Sequence, residues 1–311
     1  MCTAVAYKTN DLYFGRNLDY ERSWGESVTI TPRRYPFSFR SGEVMNEHYA
    51  MIGMAHVRDN YPLYYDAANE AGLCVAGLNF TRSTVYHEKV AGYESVAQFE
   101  FIPWLLSKCA SVSEAVGLLE KTVITGEQFS ENLPAAKLHW LIADKDSCVT
   151  LESMEDGLHI YENDFGVLTN EPPFPFQSQM MNNYLNLSAK PPVNRTGMKL
   201  DAYSRGMGAI GLPGDLSSGS RFVRAAFVRA NSRSGESENE SVSQLFHILA
   251  SVEQQKGCCE LESGEFEYTI YSSCVNAGKG IYYYRTYDSQ RTMSIDMHRA
   301  DLDSDELLYM R

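Results

Sequence analysis

The stretch MCTAVAYKTNDLYFGRNLDYE (residues 1–21) reads as a tight first hairpin with a cysteine directly behind the initiator methionine. Three readings of Cys2 compete. A free cysteine packs as a small hydrophobe, so it can simply begin a buried strand. It can be a lipid anchor, or it can be a nucleophile that removal of Met1 turns into the first residue. The anchor needs an apolar export segment upstream, and none precedes Cys2. The strongly apolar runs, such as IPWLL at 102–106, are too short to cross a bilayer.

Small second residues permit methionine removal, which leaves the Cys2 thiol beside a free α-amine. In reference peptides such an amine titrates near about 7.7–8.0, close to ambient pH, so it can serve as general base. One residue then supplies both nucleophile and base. FGRNLDYE (14–21) adds Arg16 and Asp19, three residues apart. A nearby arginine favours the thiolate, and a carboxylate near the amine orients it. The plain alternative is a surface ion pair in a turn, which by itself is the commoner outcome.

Working outward, the 311 residues are 44% hydrophobic and 22% charged, which is material for a large core. A net charge of −13 repels nucleic acid and anionic membranes and argues against both as partners. It leaves room for an anionic small molecule met by a local arginine cluster. Seven scattered cysteines without a CxxC pair read as reduced thiols in a cytoplasmic protein.

Residues 27–37 and 48–57 have strand composition, and 63–80 holds two apolar runs joined by the turn signal Asn69-Glu70-Ala71-Gly72. Helical signals follow at PWLLSKCA (103–110) and behind a Ser111/Glu114 capping box. Strand pattern returns over 137–153 with a turn at 144–146. RFVRAAFVRAN (221–231) and a segment capped by Ser241 and Gln244 read as helices, with a solvated loop over 232–241. The tail is a hairpin around Asn276-Ala277-Gly278-Lys279-Gly280. Blocks of hairpins separated by helix pairs argue for antiparallel sheets covered by helices, in one domain over 1–311.

Five blocks together carry a resemblance: residues 1–21, YYDAANEAGLCVAGLNF (64–80), GVLTNEP (166–172), GLPGDLSSGSRFVRAAF (211–227) and YTIYSSCVNAGKGIYYYRTY (268–287). In this order they resemble the choloylglycine hydrolase family. These are N-terminal nucleophile cysteine amidases that include conjugated bile salt hydrolases and penicillin V acylases. The resemblance runs from Cys2 to about residue 300. It implies an α+β fold, a four-layer αββα sandwich of two antiparallel sheets. It also implies Cys2 as nucleophile with Arg16 and Asp19 beside it. Asn79 and Asn170 would hold the oxyanion, one by its backbone N–H and the other by its side-chain amide, and Arg221 would complete the polar shell. Donors aimed at a developing oxyanion contribute about 2.7–4 kcal/mol each. Without the resemblance, both asparagines read as turn residues.

The implied reaction is hydrolysis of the amide that joins a bile acid to glycine or taurine, with no metal or cofactor, in a homotetramer. Leu18, Phe129 and Leu133 are the expected apolar wall for the steroid, although each alone reads equally well as a core side chain. Asn79 favours bile salts, since penicillin V acylases typically carry Tyr there. A penicillin V or acyl-homoserine-lactone acylase is the alternative within the class. A papain-like Cys–His enzyme would need a histidine motif for Cys2. His139, His159, His247 and His298 offer none, and they stand at no metal-ligand spacing. Gly206, Gly208, Gly211 and Gly214 lack the Lys-Ser/Thr ending of a phosphate loop. A binding protein without catalysis has no use for the intact polar set.

Overall fold

The first hairpin forms as expected. In the computed structural model, which describes residues 1–309, β1 (Cys2–Lys8) and β2 (Leu12–Tyr20) pair antiparallel, with Cys2 opposite Leu18 and Ala4 opposite Arg16. The last two positions of the expected 1–311 domain lie outside the described residues. Nearly every residue of both strands is buried, so the sheet is covered on both faces and its sequence runs apolar instead of alternating.

The two strands sit inside a six-stranded sheet, ordered Val167–Leu168, β1, β2, Tyr268–Asn276, Ile281–Thr286, Ser289–Asp296. A second sheet has eight strands, ordered Gly157–Glu162, Cys148–Met154, Leu138–Ala143, Cys74–Asn79, Tyr61–Asn69, Met51–Arg58, Ser27–Thr31, Leu308–Tyr309. Every pairing within these two sheets is antiparallel. Helices α1 (Phe101–Lys108) and α2 (Val112–Leu119) cover the outer face of the eight-stranded sheet, where Phe101, Trp104 and Leu105 share a core with Val75, Trp140 and Leu151. A short α3 (Phe174–Met180) follows the Asn170 loop. Helices α4 (Ser218–Asn231) and α5 (Glu238–Ala250) cover the six-stranded sheet, bringing Phe222, Leu245 and Leu249 to β1, β2 and Tyr268–Asn276. The layers run helix, sheet, sheet, helix. This is the expected α+β sandwich.

Side chains alternate along a strand, so Cys2, Ala4, Arg16 and Leu18 face the eight-stranded sheet, and Thr3, Asn17 and Asp19 face α4 and α5. The hydrogen bonds agree. Arg16 donates to carbonyls of the eight-stranded sheet, whereas Asn17 Nδ2 donates to Leu249 O on α5.

Some boundaries differ from the sequence reading. The strand expected over 27–37 ends at Thr31, because Pro32 opens a turn closed by Tyr35 N–H to Pro32 O. Phe37–Ser38 then pairs separately with Val44–Met45. The helix expected behind Ser241 starts a turn earlier. Ser237 caps it, its side chain accepting from Glu240 N while the Glu240 carboxylate accepts from Ser237 N, so the loop expected to reach 241 stops at 237. Ser111 does cap α2, but Glu114 reaches Ala110 N instead of closing the box. The turn at 69–72 holds Gly72 at φ +96°, a conformation that side chains resist.

Candidate active site

Because Cys2 pairs with Leu18, its side chain lies diagonal to Arg16 on the same face, a spacing that long side chains bridge. Arg16 is fully buried, and its Nη1 donates to Gly77 O at 2.6 Å and to Tyr65 O at 2.9 Å. Tyr65 is the residue at which the Tyr61–Asn69 ladder slips against Met51–Arg58, between the pairs Met54–Asp66 and Ala55–Tyr64. A bulge of this kind re-aims the backbone, here leaving the Tyr65 carbonyl to the arginine. Burial opposes the Arg16 charge, but Cys2, Tyr271, Asp66 and Asp19 together hold its pKa above the ordinary value.

The backbone of residue 2 is fixed by a separate set. Its N–H donates to Asn170 Oδ1 at 2.8 Å, and Arg221 Nη1 donates to Cys2 O at 2.5 Å and Thr3 Oγ1 at 2.7 Å. Arg221 Nη2 also donates to Asn170 Oδ1, at 2.8 Å, so one amide oxygen ties the first strand to α4. Asn170 Nδ2 donates to Asn79 O at 2.7 Å, which commits one of its two hydrogens and leaves the other. Phe80 N–H donates to Lys137 O, so Asn79 and Leu138 form the pair without mutual bonds, and Asn79 N–H points away from that ladder. Two such donors beside a thiol are what a developing oxyanion requires.

Asn170 is itself held firmly. Its N–H donates to Ser218 Oγ at 2.8 Å. Next to it, Thr169 O lies 2.8 Å from His139 Nε2, whose Nδ1 is 3.0 Å from Glu152 Oε1. His139, which has no metal-ligand spacing in the sequence, supports the loop from beneath.

Asp19 stands apart from the thiol face, because three residues is an odd spacing in a strand and puts it opposite Arg16. Thr269 Oγ1 donates to its Oδ1 at 2.6 Å, Gln254 Nε2 to its Oδ2 at 3.4 Å, and Arg221 Nη1 is 4.0 Å away. Burial pushes the Asp19 carboxyl up, against Arg221, the N-terminal ammonium and the Thr269 hydroxyl. The Met1 ammonium donates to Asp19 O at 2.8 Å and pairs with the Glu267 carboxylate. Asp19 thus belongs to the amine side of the site. Nothing in the sequence marks Glu267, which arrives from 266 positions away.

A cavity of about 230 Å³ opens beside Cys2, Arg16 and Asn79. Leu18, Phe129 and Leu133 line it, joined by Leu63, Phe99 and Ile102, which the sequence reading did not single out. Arg40 Nη2 steadies the Phe129 loop by donating to Phe129 O at 2.9 Å. The buried Glu100 carboxylate in turn accepts from Arg40 N at 2.9 and 3.1 Å. Among the described residues no group of three or more His, Cys, Asp or Glu side chains is placed to hold a metal ion.

Burial pushes the Glu100 carboxyl up to about 7. An acid with a raised folded pKa binds more protons folded than unfolded between its two values, here from 4.5 to about 7. Stability therefore falls as pH rises through that window. Between about pH 5 and 7.5 the wild-type Tm is expected to drop a few degrees more than that of Glu100→Gln, about 1–2 kcal/mol. Parallel melting curves for the two proteins would rule this account out.

Comparison with known proteins bears on this geometry. Residues 2–310 match the family described as linear amide C–N hydrolases, choloylglycine hydrolase family. The chain is 53% identical over 310 residues to a bile salt hydrolase/transferase of Lactiplantibacillus plantarum, covering 99% of this chain and 96% of that one. It is 34% identical over 312 residues to a conjugated bile acid hydrolase of Lactobacillus acidophilus, covering 98% and 99%. The crystal structure of a mutant conjugated bile acid hydrolase from Clostridium perfringens matches with TM-score 0.92 at 33% identity, over 100% of this chain and 97% of that one. A penicillin V acylase from Agrobacterium tumefaciens shares the fold, with TM-score 0.77 and 20% identity over 98% and 90%.

Proposed function

The chain belongs to the choloylglycine hydrolase family of linear amide C–N hydrolases, and from that premise we propose that it cleaves the amide joining a bile acid to glycine or taurine. One observation carries the reading: Cys2, Arg16 and Asn79 open onto the same apolar cavity, and Asn170 bonds to both Cys2 N and Asn79 O. The Cys2 thiolate attacks the amide carbon. The carbonyl oxygen becomes an oxyanion against Asn79 N–H and the second hydrogen of Asn170 Nδ2. The α-amine of a Cys2 freed of Met1 takes the thiol proton and passes it to the leaving nitrogen. Glycine or taurine departs, and water then cleaves the thioester to release the bile acid.

The remaining residues have supporting parts. Arg16 favours the thiolate by its charge, Asp19 orients the amine from the other face, and Arg221 fixes the Cys2 carbonyl. Leu18, Phe129 and Leu133 supply an apolar wall, which suits the wide, rigid face of a steroid. Side-by-side kinetics test the substrate class. The expected result is a higher kcat/KM for glycocholate and taurocholate than for penicillin V, and the reverse order against both conjugates overturns the reading.

A homotetramer in the cytoplasm completes the proposal. Leu185, Val193, Met198, Leu200 and Tyr203 are 54–86% exposed, an apolar run along one segment that suits burial against further copies. The seven unpaired cysteines suit a reducing compartment. A light-scattering mass of a single chain would remove the tetramer from the picture.

A further inference from the structure

Arg16 has a buried counter-charge that the reaction above does not use. Asp66, in the strand Tyr61–Asn69, is 2% exposed and reaches across the gap between the sheets. Three hydroxyls of the six-stranded sheet donate to it: Tyr271 to Oδ1 at 2.7 Å, Tyr282 to Oδ2 at 2.7 Å and Ser273 to Oδ2 at 3.1 Å. Ser273 Oγ accepts from Arg16 N at 3.2 Å, which leaves its own hydrogen for Asp66. A protonated carboxyl would itself need an acceptor. Three donors converging on two oxygens is the pattern of a carboxylate.

The two charges are exchanged between the sheets. Arg16, from the six-stranded sheet, is held by the Tyr65 and Gly77 carbonyls of the other. Asp66, the residue after Tyr65, is held by hydroxyls of the first. They act on each other through the buried space between the sheets, where charge effects are screened less than in water. A guanidinium buried there with carbonyl dipoles alone is costly, and a carboxylate nearby offsets that cost.

We infer that Asp66 is the remote counter-ion of Arg16 and, through Arg16, a positioning residue for the Cys2 nucleophile. Only the kinetic consequence of this inference rests on the amidase reading. The titratable groups facing Asp66 are Arg16, Tyr271 and Tyr282 from the opposite sheet and Cys74 from the neighbouring strand. Those facing Arg16 are Cys2, Tyr271, Asp66 and Tyr65, and the charge of Asp19 acts on it from the other face of β2. Burial pushes the Asp66 carboxyl up, and Arg16 with the three hydroxyls pulls against it, so its ionised state depends on them. Removing the Asp66 charge leaves Arg16 with one anion fewer to offset it beside the Cys2 thiolate. The thiolate then forms at lower pH.

Iodoacetamide alkylation of Cys2 against pH, read by mass spectrometry of the Cys2 peptide, tests this on folded protein that begins at Cys2. In Asp66→Asn the pH of half-maximal alkylation rate is expected to fall by about one unit, and the acid limb of kcat/KM for glycocholate to move with it. Tyr282→Phe, which removes one donor and so lets burial push the Asp66 carboxyl further up, costs part of the charge and is expected to give a smaller shift of the same sign. In an Arg16→Gln background Asp66→Asn gives a smaller shift, because the part of the effect that passes through Arg16 is absent. An alkylation profile in Asp66→Asn that superimposes on wild type, or moves upward, overturns the inference. If Asp66→Asn does not fold by circular dichroism, Tyr282→Phe decides, and an unmoved profile there overturns it. Alkylation needs no substrate, so a shift without bile salt turnover supports the counter-ion and removes only the amidase reading.

Discussion

Replacing Cys2 by serine is expected to lower kcat for glycocholate on the order of 10⁴-fold or more while the melting curve stays near that of wild type. The fold should tolerate the change. Asn170 and Arg221 hold residue 2 by its main-chain N–H and carbonyl, and serine keeps both groups. The chemistry should not tolerate it, because a hydroxyl is far less ionised than a thiol near neutral pH even beside Arg16. No other thiol lines the cavity. Burial pushes Cys109 up to about 11 and Cys148 up to about 12, and holds Cys74 and Cys274 well above the ordinary thiol value. Cys259 is raised as well, mainly by burial and then by Glu267. Turnover near wild type in Cys2→Ser would point to a different nucleophile.

How much of this was legible depended on how local each signal is. The first hairpin was readable because β1 and β2 are neighbours in sequence and pair residue for residue. The capping of α5 was misread by one turn, since Ser241 and Ser237 offer equally good local signals. Arg16 was expected near the thiol and Asp19 near the amine, and the strand period that puts them on opposite faces needed the backbone conformation to see. Asn79 and Asn170 carried no local mark beyond the resemblance. Their link runs through one amide over 91 positions. Asp66 was not singled out at all. Its partners Tyr271 and Tyr282 lie 205 and 216 positions away, so an aspartate among tyrosines gave no sign of the charge it balances. Cavity residues such as Phe99 and Ile102 were invisible for a similar reason, because the end of a loop and the start of a helix read as ordinary core.

Protein that keeps Met1 in front of Cys2 is expected to lose activity on the order of 10²–10⁴-fold, the contribution of a general base. With Met1 present, the Cys2 nitrogen is an amide whose hydrogen already goes to Asn170 Oδ1, and an amide nitrogen takes no proton near neutral pH. The ammonium of Met1 cannot stand in for it, because Asp19 O and Glu267 already engage that group. Yet Arg221, Asn170 and Asn79 are already bonded as the proposed site needs with Met1 in place. Removing Met1 therefore supplies a base to a preassembled site and requires no refolding. Two measurements separate this from a general loss of structure. Intact-mass analysis should show specific activity rising in proportion to the fraction of chains that begin at Cys2. A variant with one further residue inserted between Met1 and Cys2, and retained there, should melt like wild type and turn over almost nothing. Full activity in a preparation whose mass shows Met1 intact would mean that the proton is taken by another group, and Asp19, buried on the amine side of Cys2, is then the residue to examine.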